Sequence, residues 1–315
     1  MFFFSLLYYI GNSRLVFLFS SKIAKLFASF FNNFYFLKNK KKKKSINDFD
    51  LVISTMPSFI LPFPVKKEKL FSIVTDYGNV HKFWAFSPSS KYFVSDEVAS
   101  KTLKKIAQSS KVIVSGIPVR KKFIDVLNED KEDLKKKLGI PSGKIVAIFT
   151  GGGIGNKKLV KLSSIIRDKK AWGKKLEFIF VCGRNRKVFN KVLNNFSGIQ
   201  HAKVFGFTDK MHELMRVSDI AFIKPGGLTV TETIFLGLPT VIFDFYPGQE
   251  EENVKHILKM NYGWLKTNIK DLSDFIEELS KNPSILNDKK KSLLSRKKEN
   301  PIEIICKEIF ENLDI

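Results

Sequence analysis

Short apolar runs alternate with amphipathic stretches through the second half of the chain. Strands are expected at Ile145–Phe149, Leu176–Cys182, Ala202–Phe205, Asp219–Ile223 and Thr240–Phe243. Between and after them, helical spacing is found at Lys157–Arg167, Lys187–Asn195, Lys210–Arg216, Thr229–Leu236 and Glu250–Met260. Strict alternation of this kind predicts a parallel sheet covered on both faces, an α/β fold, with ligands at the carboxyl ends of the strands. The first half is sparser. Strands are expected at Asp50–Ser54, Leu70–Thr75 and Lys111–Val114, and a helix at Asp96–Ala107 with Ser95 as its N-cap. The charged stretch 121–143 reads as a linker region containing one helix, Lys131–Leu138. The resulting division is a segment 1–45, a first domain 46–120, the linker region 121–143 and a second domain 144–315.

The N-terminal segment has its own pattern. Ile23, Leu26, Phe27, Phe30, Phe31 and Phe34 recur at helical spacing, and Lys38 and the run Lys40–Lys44 follow directly. An aromatic amphipathic helix beside a basic cluster suits an anionic membrane surface. A core helix followed by a solvated loop has the same pattern. No uncharged run reaches the roughly 18 residues needed to span a bilayer.

The whole chain, at 315 residues and a net charge of +23, is long enough for two domains and favours anionic partners. Its basic residues are 47 Lys and only 7 Arg, with no aromatic platform interleaved, so nucleic acid is not an expected partner. A drift towards Lys, Asn, Ile and Phe explains the overall charge equally well. Cys182 and Cys306 are too far apart in sequence for a zinc or disulfide framework in the usual spacings.

Glycine-rich turns mark the strand ends. Thr150-Gly151-Gly152-Gly153-Ile154-Gly155 offers backbone donors at Gly152 and Gly153, but it fits neither the dinucleotide nor the Walker pattern, and a tight turn without ligand remains open. Lys224-Pro225-Gly226-Gly227-Leu228-Thr229 joins a strand end to a helix start, where Pro225, Gly226, Gly227 and the Thr229 hydroxyl suit an anionic oxygen. Glu232, one turn on, is placed for a ribose hydroxyl pair or is simply an acid favoured near a helix start. Gln249, Glu250 and Asn253 follow the turn at Pro247-Gly248 and suit the hydroxyls of a hexose, or form a polar loop. Asp76 and His81, in Thr75–His81, are the candidate catalytic pair, His81 as a general base or as an ordinary loop histidine. Asp48-Phe49-Asp50 has the form of a metal-binding D-x-D but reads as structural, and no metal is expected. His201 and His212 read as surface residues.

Taken together, Thr75–His81 with Trp84, Gly116–Arg120, Val181–Asn185, Gly206–Met211 and Lys224–Glu232 with Gly248–Asn253 resemble the monogalactosyldiacylglycerol synthase and processive diacylglycerol glucosyltransferase family. The peptidoglycan-precursor N-acetylglucosaminyltransferase is related. The resemblance implies a glycosyltransferase-B type fold of two Rossmann-like domains. It implies an inverting, metal-independent hexosyl transfer from UDP-glucose or UDP-galactose to diacylglycerol, peripheral to the cytoplasmic face of the membrane. It places Gly183, Arg184, Asn185, Phe207 and Met211 around the uridine, Gly226 and Gly227 at the diphosphate, Glu232 at the ribose, and Gln249, Glu250 and Asn253 at the sugar. Such enzymes begin with a strand and a glycine-rich loop carrying a His; against them the first domain reads as truncated. Two alternatives follow: a donor-binding subunit completed by a partner chain, and a UDP-N-acetylglucosamine transferase acting on a polyprenyl-linked peptidoglycan precursor.

Overall fold

The computed structural model describes residues 51–55, 66–85, 89–107, 110–296 and 300–311. The expected membrane-contact segment 1–45, as well as Asp48 and Asp50, lies outside them. In chain order the elements are β1 (Val52–Ser54), β2 (Leu70–Ile73), β3 (Lys91–Val94), α1 (Glu97–Ile106), β4 (Lys111–Val114), α2 (Lys121–Asp125), α3 (Lys131–Lys137), β5 (Ile145–Thr150), α4 (Lys158–Asp168), β6 (Leu176–Val181), α5 (Arg186–Asn195) and β7 (Ala202–Phe205). There follow α6 (Met211–Val217), β8 (Ile220–Ile223), α7 (Gly227–Phe235), β9 (Thr240–Ile242), α8 (Gln249–Lys259), β10 (Gly263–Leu265), α9 (Ile269–Lys281), α10 (Asn287–Leu294) and α11 (Pro301–Phe310), with short 3₁₀ turns between some of them.

Two compact units result, and they do not divide the chain at a single point. The first takes the described residues within Met1–Pro118, Tyr246–Asn253 and Lys298–Ile315; the second takes Val119–Phe245 and Val254–Lys297. The stretch 121–143, expected as a linker region, is folded into the second unit. There α3 is capped by Asp130, and Lys131 and Lys137 pair with Asp219 and Glu213. The last helix, α11, belongs to the first unit although its sequence lies beyond the second.

The first unit is a parallel sheet in the order β1-β2-β3-β4. Sequence reading missed β3, whose four residues open on a lysine, yet all four are buried. Trp84, Val94 and Leu103 pack one face of this sheet with α1. On the other face Phe71, Ile73 and Phe93 meet Ile305 and Ile309 of α11. Lys91, buried in β3, donates to the Glu308 carbonyl and, at 2.9 Å, to its carboxylate, which also takes Lys111 at 3.0 Å. Helix α1 is capped by Asp96, not by Ser95: the Asp96 carboxylate accepts the Ala99 N–H at 2.9 Å from an extended backbone. The Ser95 hydroxyl instead donates to the Asp76 carbonyl at 2.8 Å.

The second unit is a six-stranded parallel sheet in the order β10-β9-β8-β5-β6-β7. Strands buried on both faces are largely apolar, and β5, β6 and β8 are, with Thr150 at the end of β5 and Glu177 in β6 as the exceptions. Phe149 sits at the centre, stacked on Phe180 at 4.8 Å and Phe222 at 4.2 Å. The strand order runs outward in opposite directions from β5 and β8, so the topological switch lies between them. His201, expected at the surface, is half-buried with its ring edge-on to Phe178; it packs where Gly173 leaves no room for a Cβ. Glu177 shows how burial acts on charge here: its carboxyl is pushed up by desolvation, with Lys144 opposing at 3.6 Å.

Candidate functional site

Crevices at a switch point open at the carboxyl ends of the flanking strands. In the second unit those ends carry the two glycine turns found in the sequence. Thr150 of β5 lies in register with Ile223 of β8, and the Lys224 N–H donates to the Thr150 carbonyl at 3.3 Å. Gly151–Gly155 and Pro225–Gly227 are thus neighbours.

Helix α7 begins two residues earlier than its pattern predicts, at Gly227, with Gly226 as an N-cap that has no side-chain cap bond. The amides of Gly227, Leu228 and Thr229 then fall in the first turn, and none has an acceptor among the described residues. An uncapped helix start concentrates positive potential where an anion can lie. Gly226 has ordinary angles, φ −65° and ψ 142°, and a Cβ there would meet nothing within 4 Å. Neither strain nor internal packing requires a glycine at this position, which leaves close approach from outside as its use. Gly153 is equally open, and Gly152, at φ +76°, adds a conformational need.

Other glycines here serve the fold. A Cβ on Gly183, at φ +61°, would come within 2.6 Å of the Gly152 carbonyl, so the loops after β5 and β6 touch directly. The Arg184 N–H donates to the Gly153 carbonyl at 2.9 Å, and Asn185 caps α5 through the Val188 N–H. The Arg184 guanidinium lies 4.1 Å over the ring of Phe207, which is exposed beyond β7, and Met211 opens α6 close behind in sequence. A flat cation on an exposed ring is a surface on which a planar base can stack. Cys182, beside Gly183, is no nucleophile: burial pushes its thiol up to about 12.

Glu232, one turn into α7, accepts from Arg120 at 3.0 Å. Burial pushes its carboxyl up, against the pull of the Arg120 guanidinium. Sequence reading passed over Arg120; the available signal was an arginine in the Gly116–Arg120 motif of a chain that elsewhere prefers lysine. Another missed set is Asp244, which accepts from Asn156 at 2.8 Å and Lys158 at 2.6 Å and so ties the loop after β5 to the end of β9.

The three residues assigned to the sugar are counted with the first unit. Glu250 is buried and accepts the Tyr246 N–H at 2.6 Å, and Asn253 is fully buried against Asp76 and Tyr77. Gln249 begins α8. In the same unit, Asp76 and His81 occupy the loop after β2. The His81 Nδ1 accepts the Phe83 N–H at 3.2 Å, and burial, with Lys82 adding to it, pushes the imidazole down to about 4.

A model described as the glycosyltransferase family 28 C-terminal domain matches residues 146–309, more than half of the chain. The chain belongs to glycosyltransferase family 28. A second model, monogalactosyldiacylglycerol (MGDG) synthase, matches residues 2–119. Similar proteins include a processive diacylglycerol beta-glucosyltransferase of Bacillus licheniformis, 28% identical over 296 residues that cover 90% of this chain and 75% of that one. A probable chloroplastic monogalactosyldiacylglycerol synthase of Glycine max is 28% identical over 219 residues, 68% of this chain and 41% of that one. The crystal structure of Acinetobacter baumannii MurG superposes with a TM-score of 0.57 at 13% identity, over 91% of this chain and 78% of that one. This family 28 glycosyltransferase therefore has the expected glycosyltransferase-B type fold, and the motif resemblance read from its sequence holds. No helix among its described residues is long and apolar enough to cross a membrane.

Proposed function

We propose that this glycosyltransferase moves glucose or galactose from a UDP-sugar to diacylglycerol, inverting the anomeric centre. The uncapped start of α7 at the switch point carries the proposal: the first-turn amides of Gly227, Leu228 and Thr229 lack acceptors among the described residues, and Gly226, without a side chain, leaves them uncovered. In the transfer the acceptor hydroxyl loses its proton, its oxygen bonds the sugar C1, and the C1–O bond to UDP breaks. The bonding pair leaves on the diphosphate, and oriented amides are suited to that charge without a metal. The Arg184–Phe207 pair suits the uracil and Glu232 the ribose. The similarity to a β-glucosyltransferase supports inversion, since UDP-glucose is α-linked. Diacylglycerol as acceptor calls for peripheral attachment to the cytoplasmic face of an anionic membrane, where the donor is made; the basic, aromatic 1–45 segment suits that task.

Of the two catalytic candidates, Asp76 is the better proton acceptor. With Nδ1 of His81 accepting the Phe83 N–H, the neutral ring carries its proton on Nε2 and serves as a donor. If His81 were nonetheless the base, kcat/KM would fall as pH drops through about 4, the position to which burial brings it, and not through 6.5. The ring also affects stability. Its folded value lies below its unfolded one, so its contribution is complete above about pH 6.5 and is lost as pH falls towards 4. Urea midpoints at pH 7 and pH 4.5 should fall further for the native protein than for His81→Gln.

Incubating the protein with diacylglycerol vesicles and radiolabelled UDP-glucose or UDP-galactose tests the activity. A β-linked glycolipid from one donor is expected; no glycolipid from either, with the protein folded by circular dichroism, would refute it. Glu232→Ala is expected to weaken UDP binding about tenfold or more, the value of a hydrogen bond to a charged group. If Glu232 served only its partner Arg120, Glu232→Ala and Arg120→Ala would both lower the melting temperature and leave calorimetric UDP affinity alone.

A further inference from the structure

Asn253 stands where the motif resemblance expects a sugar contact, yet its side chain is fully buried. Its Oδ1 accepts the Tyr77 N–H at 2.9 Å, and its Nδ2 donates to Asp76 Oδ1 at 3.1 Å. These two bonds fix the orientation of the amide: only its oxygen can accept from an N–H, and only its nitrogen can donate to a carboxylate.

The rest of the Asp76–His81 loop is held in the same way. Glu252, the neighbour of Asn253 on α8, accepts from the Asn79 N–H at 3.0 Å and the Asn79 side chain at 2.9 Å. The Gly78 N–H donates to Asp96 at 3.1 Å, and the Ser95 hydroxyl to the Asp76 carbonyl. Gly78 takes φ +72°, and a Cβ there would stand 2.7 Å from Glu252 Oε2. Such packing holds the loop in a single conformation, with the α8 side chains as its support.

We infer that Asn253 is a positioning residue for Asp76 and does not contact the sugar. The inference rests on the proposed role of Asp76 as proton acceptor. A carboxylate just past a strand end turns about its own side-chain bonds; one amide anchored on the Tyr77 backbone stops that rotation. The angle at which Asp76 meets the acceptor hydroxyl is then set by Asn253. Glu252 acts on the same loop through Asn79. Asn253 and Glu252 thus serve the loop that carries Asp76.

The test uses the full chain with Asn253→Ala, Asn253→Asp and the exchanged pair Asp76→Asn/Asn253→Asp. Asn253→Asp keeps the acceptor for Tyr77 but sets a second carboxylate against Asp76. It should lower kcat by about tenfold or more, the penalty of misplacing a reacting group. Calorimetric affinities for UDP-glucose, UDP-galactose and UDP should stay at native values. The exchanged pair restores a donor opposite an acceptor, so its urea midpoint should recover while kcat does not, the carboxylate having moved.

A drop in UDP-sugar affinity without a drop in UDP affinity would make Asn253 a sugar contact and overturn the inference. Recovery of kcat in the exchanged pair would overturn it as well. So would strict additivity of Asp76→Ala and Asn253→Ala in urea denaturation. If the native protein forms no glycolipid, the proposed function fails instead. The denaturation cycle and the calorimetry still decide whether Asn253 holds Asp76 or the sugar.

Discussion

Gly226→Val is expected to abolish UDP binding and glycolipid formation while leaving the fold unchanged. The backbone at Gly226 sits at φ −65° and ψ 142°, a conformation that every L-residue adopts, and a Cβ there meets no atom within 4 Å. A side chain therefore costs the folded protein little. It would, however, project over the first-turn amides of α7, which lack acceptors among the described residues. Loss of oriented donors of this kind lowers turnover by about 10²–10³-fold, and here an obstructing side chain adds to the loss. Circular dichroism and thermal melting should match the native protein, while calorimetry with UDP should give no measurable heat. Gly183→Val is the control with the opposite profile. Its Cβ would crowd the Gly152 and Gly153 carbonyls at 2.6 and 2.7 Å from a left-handed backbone, so stability should fall together with binding. Intact UDP binding in Gly226→Val would remove the diphosphate from this turn.

The second large effect is on stability. Glu308→Ala should destabilise the first unit by about 1.5–3 kcal/mol, the value of a hydrogen bond between charged groups, because the buried Lys91 ammonium keeps only the backbone carbonyl of residue 308. Lys91 has a side-chain exposure of 8% and takes both the carbonyl and the carboxylate of Glu308. Burial would raise the Glu308 carboxyl, but the Lys91 and Lys111 ammoniums together hold it below the usual carboxylate range. A depressed carboxylate contributes stability that is complete above the unfolded value and disappears as pH falls through the folded one. The deficit of Glu308→Ala should therefore be full at pH 7 and narrow in acid. Replacing the pair by Lys91→Met with Glu308→Leu should recover most of the loss, since an apolar pair needs no compensation. Urea denaturation of the three proteins checks both points. Equal midpoints for native protein and Glu308→Ala would mean that water, not Glu308, satisfies Lys91.

The second unit was the more legible part of the sequence. Its central strands β5, β6 and β8 are buried on both faces and so read as nearly continuous apolar runs, and each is followed by a helix with a clear period. Gly183, Gly226 and Gly227 were recognised because a turn between strand and helix needs small residues at fixed places. What escaped was long-range. β3 begins with a lysine that can be buried only because Glu308 stands opposite, 217 residues away in sequence. Arg120 gains meaning only beside Glu232, and Asp244 only beside Asn156 and Lys158. Gln249, Glu250 and Asn253 have the polar character of a sugar site, yet composition alone does not tell a residue that faces a ligand from one that holds a neighbouring loop. At Asn253 only burial and bonding partners do.

The return of α11 to the first sheet has a consequence for how the protein is made. Phe71, Ile73 and Phe93 are synthesised before the second unit, and the helix that covers them only after it. Throughout translation of the second unit, that apolar face and the unpaired Lys91 wait without their cover. The second unit, whose sheet is drawn from one largely continuous stretch, is able to close before the first. A nascent chain that completes its second unit before its first exposes a sticky surface for the whole interval, and co-expression with a chaperone that shields apolar segments should raise its soluble yield.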